Sequence, residues 1–351
     1  RRGAEPAHMP AARGGMAMDM RVAPAELLLA QPRGFCAGVV RAIGVVEQAL
    51  TLFGAPVYVF HEIVHNGHVV RSLQQRGAVF VDRIDQIPER AVTIFSAHGV
   101  SQAVVDQAAA RGLRVVDATC PLVAKVHLQA QRYALAGRTV LVIGHPGHDE
   151  VVGTLGRIPG PAVVLPTADA ARTLALPPGT PLAYVTQTTL SVDDTRDIIA
   201  VLRQRFPDIA GPELDDICYA TQNRQTAVRL MARRIDRLLV VGARNSSNAC
   251  RLREVGAQHG VPSLLVEDAS QVDADWLLGA RCIGVTAGAS TPECLVQGVC
   301  DRLRSLGVHT VRQLPGKPES VNFRLPQGLV GGTAAADSRD AAPRPRLATT
   351  P

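Results

Sequence analysis

Cys36, Cys120 and Cys218 each stand just past an apolar run and just before helical spacing, in the contexts LLLAQPRGFCAG, RVVDATCPLV and ELDDICYATQ. They divide the chain into thirds of similar size. Thiolates delivered by three equivalent loops can converge on one point. Iron–sulfur clusters are usually held by four cysteines, so three would leave one iron open to bind and transform a substrate. A lone cysteine after a strand is more often a small buried hydrophobe, and position alone leaves both readings standing.

The other chemically capable residues fall in loops of the same kind. The first third holds His65 with Asn66, then His98; the second holds His148 with Glu150, then Gln187, Thr188 and Thr189; the last holds Asn245, Ser246, Ser247 and Asn248, then Ser290. Each has a structural alternative. Glu150 would suit the first turn of a helix, where a carboxylate complements the dipole, and Ser246–Asn248 would suit a turn followed by a helix cap. Cys250, Cys282, Cys294 and Cys300 read as structural thiols, and His61, His68, His127 and His145 as structural or solvent-facing imidazoles.

Apolar runs followed by polar loops and helical spacing must position these residues. The runs are Leu27–Ala30, Val57–Phe60, Val92–Phe95, Leu113–Val116, Val140–Ile143, Leu182–Val185, a weaker one ending near Ile217, Leu238–Val241 and Cys282–Val285. After Cys36, Val39, Ile43, Val46 and Leu50 fall on one helical face. Ser101 and Ser191 read as N-caps, the latter with Asp194 as a capping box. Alternation of this kind predicts an α/β protein with parallel-rich sheets, in which ligands bind beyond the carboxyl ends of the strands. One cysteine loop and two polar loops per third predict three similar small α/β domains in a pseudo-three-fold, trefoil arrangement around a central cluster site. The expected divisions are 26–117, 118–215 and 216–326, the last including a C-terminal return segment. Residues 1–25 and the Pro/Ala-rich 327–351 are expected to be disordered, with Met16, Met18 or Met20 as a possible start.

Composition excludes several classes. With 46% hydrophobic and 19% charged residues the chain reads as globular, and no apolar run reaches the roughly 18–20 residues that cross a bilayer. Half of the formal +6 charge lies in the two terminal segments, and the body shows no basic stripe interleaved with aromatics, so no nucleic-acid partner is expected. Seven cysteines without a CxxC pair fit a reducing, cytoplasmic setting better than a disulfide framework.

PRGFCAGVVRAI, HEIVHN, SAHGVS, DATCPLV, TQTTLSVDDT, DDICYATQNRQ, RNSSNACRL and GVTAGASTPE, in this order from about Pro32 to Val296, together resemble the 4-hydroxy-3-methylbut-2-enyl diphosphate reductase family. The resemblance implies reductive dehydroxylation of (E)-4-hydroxy-3-methylbut-2-enyl diphosphate to isopentenyl and dimethylallyl diphosphates, the last step of the methylerythritol phosphate route to isoprenoid precursors. It implies one [4Fe-4S] cluster per chain on Cys36, Cys120 and Cys218, proton delivery by Glu150, and electrons from a ferredoxin- or flavodoxin-type donor. It places substrate binding on His65, His98, His148, Thr188, Ser246, Ser247, Asn248 and Ser290. Two loops depart from the family pattern. GHPGHDEVVGT stands where GHEGHPEVEGT is usual, which changes Pro146, Asp149 and Val152, and RNSSNACRL stands for KNSSNSNRL, which brings in Cys250. A non-catalytic iron–sulfur sensor has no use for Glu150 or the diphosphate set. A zinc protein with three thiolates and a water is the other alternative.

Overall fold

The computed structural model describes residues 24–212 and 216–330. The candidate start methionines, and all but the inner edges of the two ends expected to be disordered, lie outside the described residues. The first third contains β1 (Glu26–Leu29), α1 (Ala37–Phe53), β2 (Val57–Phe60), α2 (Gly67–Gln75), β3 (Ala78–Val81), β4 (Val92–Phe95), α3 (Gln102–Ala110) and β5 (Arg114–Asp117). The second contains α4 (Pro121–Leu135), β6 (Thr139–Ile143), α5 (Asp149–Leu155), β7 (Ala162–Leu165), α6 (Ala168–Thr173), β8 (Leu182–Thr186) and α7 (Val192–Arg205). The last contains α8 (Tyr219–Ala232), β9 (Arg237–Val241), α9 (Ser247–Gln258), β10 (Ser263–Val266), β11 (Cys282–Ala287), α10 (Glu293–Ser305), β12 (Thr310–Gln313) and α11 (Gln327–Val330).

These strands form three sheets, ordered β3-β2-β4-β5, β7-β6-β8 and β10-β9-β11-β1-β12. Every pairing is parallel. Parallel sheets carry helices on both faces, so their inner strands read as unbroken apolar runs; all five residues of the central β6 are buried. Alternate residues of one strand feed opposite cores. Leu27 and Leu29 pack with Leu239 and Val241 on one face of the five-stranded sheet, whereas Leu28 packs with Leu238 and Val240 on the other. The other two sheets are likewise covered on both faces.

β1 departs from the expected division. It is the first strand of the first third, yet it hydrogen-bonds between β11 and β12 in the sheet of the last third. The chain then crosses to a new sheet three times, and a cysteine marks each crossing. Cys36 follows β1 and N-caps α1, which packs on the four-stranded sheet through Val39, Val46, Val57 and Ile94. Cys120 follows β5 and N-caps α4, whose Val126 and Ala130 pack on Val140 and Val142 of the three-stranded sheet. Cys218 N-caps α8, whose Val228 and Met231 pack on Leu28 and Leu238 of the five-stranded sheet.

Other local expectations also change. The buried stripe of α1 is Val39, Ala42, Val46 and Ala49, with Ile43 and Leu50 at its margins, because alanines let the helix lie close to its sheet. Ser101 and Ser191 cap α3 and α7 by accepting from the N–H groups of Val104 (3.3 Å) and Asp194 (3.2 Å). The capping box is not formed, since the Asp194 carboxylate faces Arg251 at 3.7 Å. Of the weak run ending near Ile217, residues 213–215 lie outside the described residues, and Asp216 and Ile217 are not in a strand. An isolated bridge joins Ala210 to Ala183 of β8, and Pro212, which has no N–H to donate, follows it. Ile217 is buried among Leu190, Ile198 and Leu202. Ordered chain also continues into the expected tail, where α11 buries Leu329 beside Val46 and Val57. Among the described residues no helix is long and apolar enough to cross a membrane.

Candidate active site

The loops leaving the carboxyl ends of β1, β2, β4, β5, β6, β8, β9 and β11, with the turn before α8, surround one cavity of about 100 Å³. The twelve residues to which the resemblance assigns a role line it, namely Cys36, Cys120, Cys218, Glu150, His65, His98, His148, Thr188, Ser246, Ser247, Asn248 and Ser290, as does Thr189. Gln187, Asn245 and Asn66 do not. Asn66 has a local task. Its side chain accepts from the N–H groups of His68 and Val69 and caps α2.

Each of the three thiols sits at the N-cap of a helix, where free N–H groups and the positive dipole end favour a thiolate. The helix starts are drawn together closely. A Cβ on Gly38, in the first turn of α1, would lie 2.7 Å from the Cys120 Sγ and 3.8 Å from the Cys36 Sγ. Burial pushes the Cys120 thiol up to about 12 and the Cys218 thiol up to about 11, with the neighbouring cysteines adding to both. Free thiols so placed stay protonated at neutrality, and a metal group that displaces their protons removes the repulsion. The set therefore fits a thiolate-held metal cluster.

Glu150 is only 2% exposed, in the first turn of α5. The Thr188 N–H donates to its Oε1 (2.6 Å) and the Thr188 hydroxyl to its Oε2 (2.9 Å). Burial raises its pKa to about 7 against these two hydrogen bonds, and the charge of Asp216 adds to the rise. His148, the N-cap of α5, accepts the Glu150 N–H on Nδ1 (3.2 Å), which leaves its proton on Nε2. Burial and the His65 charge lower its pKa to about 4. The site thus holds a carboxylic acid poised near neutrality beside a neutral imidazole.

The polar lobe opposite is built from side chains that orient one another. His65 and His98 stack with centroids 4.1 Å apart, and His148 stands edge-on to both at 5.4 and 5.9 Å. Ser246 caps α9, and the Ser290 hydroxyl donates to the His65 carbonyl (3.0 Å). Asn248 Oδ1 accepts the Ala289 N–H (2.8 Å), and its Nδ2 donates to the Thr221 hydroxyl (3.3 Å). Gln187 Nε2 donates to Thr189 Oγ1 (2.9 Å) and Ser247 Oγ (3.3 Å), so loops from two sheets share one network. Hydroxyls, amides and imidazoles around helix N-termini suit a phosphate-bearing ligand.

Several residues at the site escaped the sequence reading. Thr221 lies within 3.2 Å (Oγ1) and 3.4 Å (N) of the Cys218 Sγ, and only its i+3 spacing from that cysteine hinted at this. Arg224 is fully buried and donates to the carbonyls of Gly34, Phe35 and Ala220 and to Glu319, so it ties the helix after Cys218 to the loop before Cys36. A buried arginine gives no signal in a pattern scan. Asp149 was marked only as a departure, and His61 was read as structural or solvent-facing. They pair at 3.3 Å, and Asp149 also faces His65 and His98.

Residues 27–304 match the family described as LytB protein. The chain is 57% identical over 304 residues to a 4-hydroxy-3-methylbut-2-enyl diphosphate reductase 2 of Bradyrhizobium diazoefficiens, covering 87% of this chain and 99% of the relative. It is 58% identical over 309 residues to the enzyme so named from Burkholderia pseudomallei, covering 88% and 99%. The solved E-1-hydroxy-2-methyl-but-2-enyl-4-diphosphate reductase of Plasmodium falciparum superposes with a TM-score of 0.84 at 37% identity, over 88% of this chain and 98% of that one. With the match spanning all three sheets, the chain belongs to the LytB family of 4-hydroxy-3-methylbut-2-enyl diphosphate reductases.

Proposed function

We propose that the chain reduces (E)-4-hydroxy-3-methylbut-2-enyl diphosphate to isopentenyl and dimethylallyl diphosphates, consuming two electrons and two protons and releasing the hydroxyl as water. The observation that carries this is a buried acid near pKa 7 in the same cavity as three thiols at helix N-cap positions. When bound, a [4Fe-4S] cluster held by Cys36, Cys120 and Cys218 supplies the electrons and a Lewis-acidic iron.

The protein's own groups do the rest. Glu150, protonated up to about neutrality, delivers a proton to the departing hydroxyl, while Thr188 fixes its carboxyl group through both oxygens. His148 holds the Glu150 backbone through its Nδ1 and presents a single N–H on Nε2. Ser246, Ser247, Asn248 and Ser290 bind the diphosphate with His65 and His98, and the network through Asn248 and Gln187 keeps these donors oriented before substrate arrives. Electrons come from a separate ferredoxin- or flavodoxin-type donor.

Anaerobic purification followed by iron and sulfide analysis tests the cluster assignment. A colourless protein holding zinc and no sulfide defeats it. If a cluster-loaded protein leaves the substrate unconsumed with reduced viologen, a sensor role replaces catalysis.

A further inference from the structure

The sulfur of Cys218 differs from the other two in its surroundings. Of the three N-cap sulfurs it alone accepts a capping hydrogen bond among the described residues, from the Thr221 N–H at 3.4 Å. The Thr221 hydroxyl lies 3.2 Å from the same sulfur. Either atom of that pair could donate while the cysteine is a thiol. A thiolate has no proton, so a cysteine that ligates iron leaves the hydroxyl as the donor.

The hydroxyl is aimed from further out. Asn248 Oδ1 accepts the Ala289 N–H at 2.8 Å, which settles how the amide is turned and sends Nδ2 to Thr221 Oγ1 at 3.3 Å. The threonine oxygen thereby accepts from Asn248 and keeps its own proton for the sulfur. Thr221 and Asn248 are 0% and 4% exposed, so bulk water does not compete for the hydroxyl. A chain of hydrogen bonds thus runs from the Ala289 backbone through the polar lobe to a cysteine sulfur, each bond polarising the next.

Hydrogen bonds to the sulfurs of an iron–sulfur cluster help to set its reduction potential. The reduced cluster carries one more negative charge than the oxidised one, so a donor aimed at a thiolate sulfur favours the reduced form. We infer that Thr221, oriented by Asn248, raises the reduction potential of the group held by Cys36, Cys120 and Cys218 through its hydroxyl hydrogen bond to the Cys218 thiolate. The inference rests on the proposed cluster ligation and adds to it: a side chain that is not a ligand sets how readily the site takes up an electron.

The test is an anaerobic potentiometric titration of the iron-loaded protein without substrate, with the reduced state followed by electron paramagnetic resonance. In Thr221→Val the reduced-to-oxidised ratio at a fixed potential should fall about ten-fold, a shift of about 59 mV to lower potential for one electron. Thr221→Ala, smaller and likewise without a hydroxyl, should repeat that shift, and Thr221→Ser should keep the wild-type potential. An unchanged potential in either hydroxyl-free variant, folded and fully loaded, overturns the inference. An equal shift in Thr221→Ser also overturns it, because the effect would then come from packing. A wild-type protein that holds zinc and no sulfide overturns it together with the cluster assignment. The predicted shifts in a protein that leaves the substrate unconsumed uphold it while the proposed reaction fails.

Discussion

In the proposed reaction Glu150 acts as an acid where an ordinary glutamate is a base. Its raised pKa comes from burial, and Thr188 opposes the rise by hydrogen-bonding the charged form. The donor is therefore protonated below about 7 and lost above it, so kcat should fall as pH rises through that value. Thr188→Val removes the hydroxyl that favours the carboxylate, and the alkaline limb of the kcat profile should move to higher pH; an unmoved limb would separate Glu150 from that titration. Glu150→Gln should lower kcat by about 10²–10⁴-fold with iron content unchanged, and retained turnover would remove Glu150 as the proton source. At this scale the sequence was highly legible for side chains in ordered motifs, because all twelve line the cavity. It was nearly silent on Arg224 and Asp149, whose partners lie far away in the chain, and it marked Thr221 only by its i+3 spacing from Cys218.

The elements place the cysteines by close approach at helix starts. Gly38 is required because α1 passes the Cys120 thiol too closely for a Cβ. Gly38→Ala should lower iron and sulfide per chain while the far-ultraviolet circular dichroism stays native, and full cluster content would show that the helix start can yield. Arg224 and Glu319 bind α8 to the loop ahead of Cys36 from opposite ends of the chain. Replacing the arginine with methionine leaves the partly buried Glu319 carboxylate with only the Asn223 amide and the Gly34 carbonyl without its donor, and should cost about 3 kcal/mol in denaturant unfolding. The strands that escaped the sequence reading share one property. β3, β7, β10 and β12 are all sheet edges and only partly covered, although β3 (AVFV), β7 (AVVL) and β10 (SLLV) are as apolar in sequence as the inner strands. Ile217, read as the end of a strand, instead lies outside any strand and packs into a core with Leu190 and Leu202.

Over the whole molecule, the three-fold pattern is one of crossings rather than of equal domains. The sheets have four, three and five strands, yet each change of sheet carries a cysteine into the N-cap of the next helix. Sequence spacing exposed the thirds, but β1 joins its sheet through β11 and β12 near the other end of the chain, a pairing that local pattern cannot reveal. A cavity ringed by three parallel sheets draws together a thiol set, an acid and a polar lobe suited to phosphate. We propose that these parts perform one reduction. The most direct measurement is anaerobic single-turnover conversion of (E)-4-hydroxy-3-methylbut-2-enyl diphosphate by the prereduced, cluster-loaded protein, with products resolved by mass. Isopentenyl and dimethylallyl diphosphates should appear in wild type and be lost in Glu150→Gln. Unchanged substrate in the wild-type protein, with its cluster intact and reduced, would contradict the account.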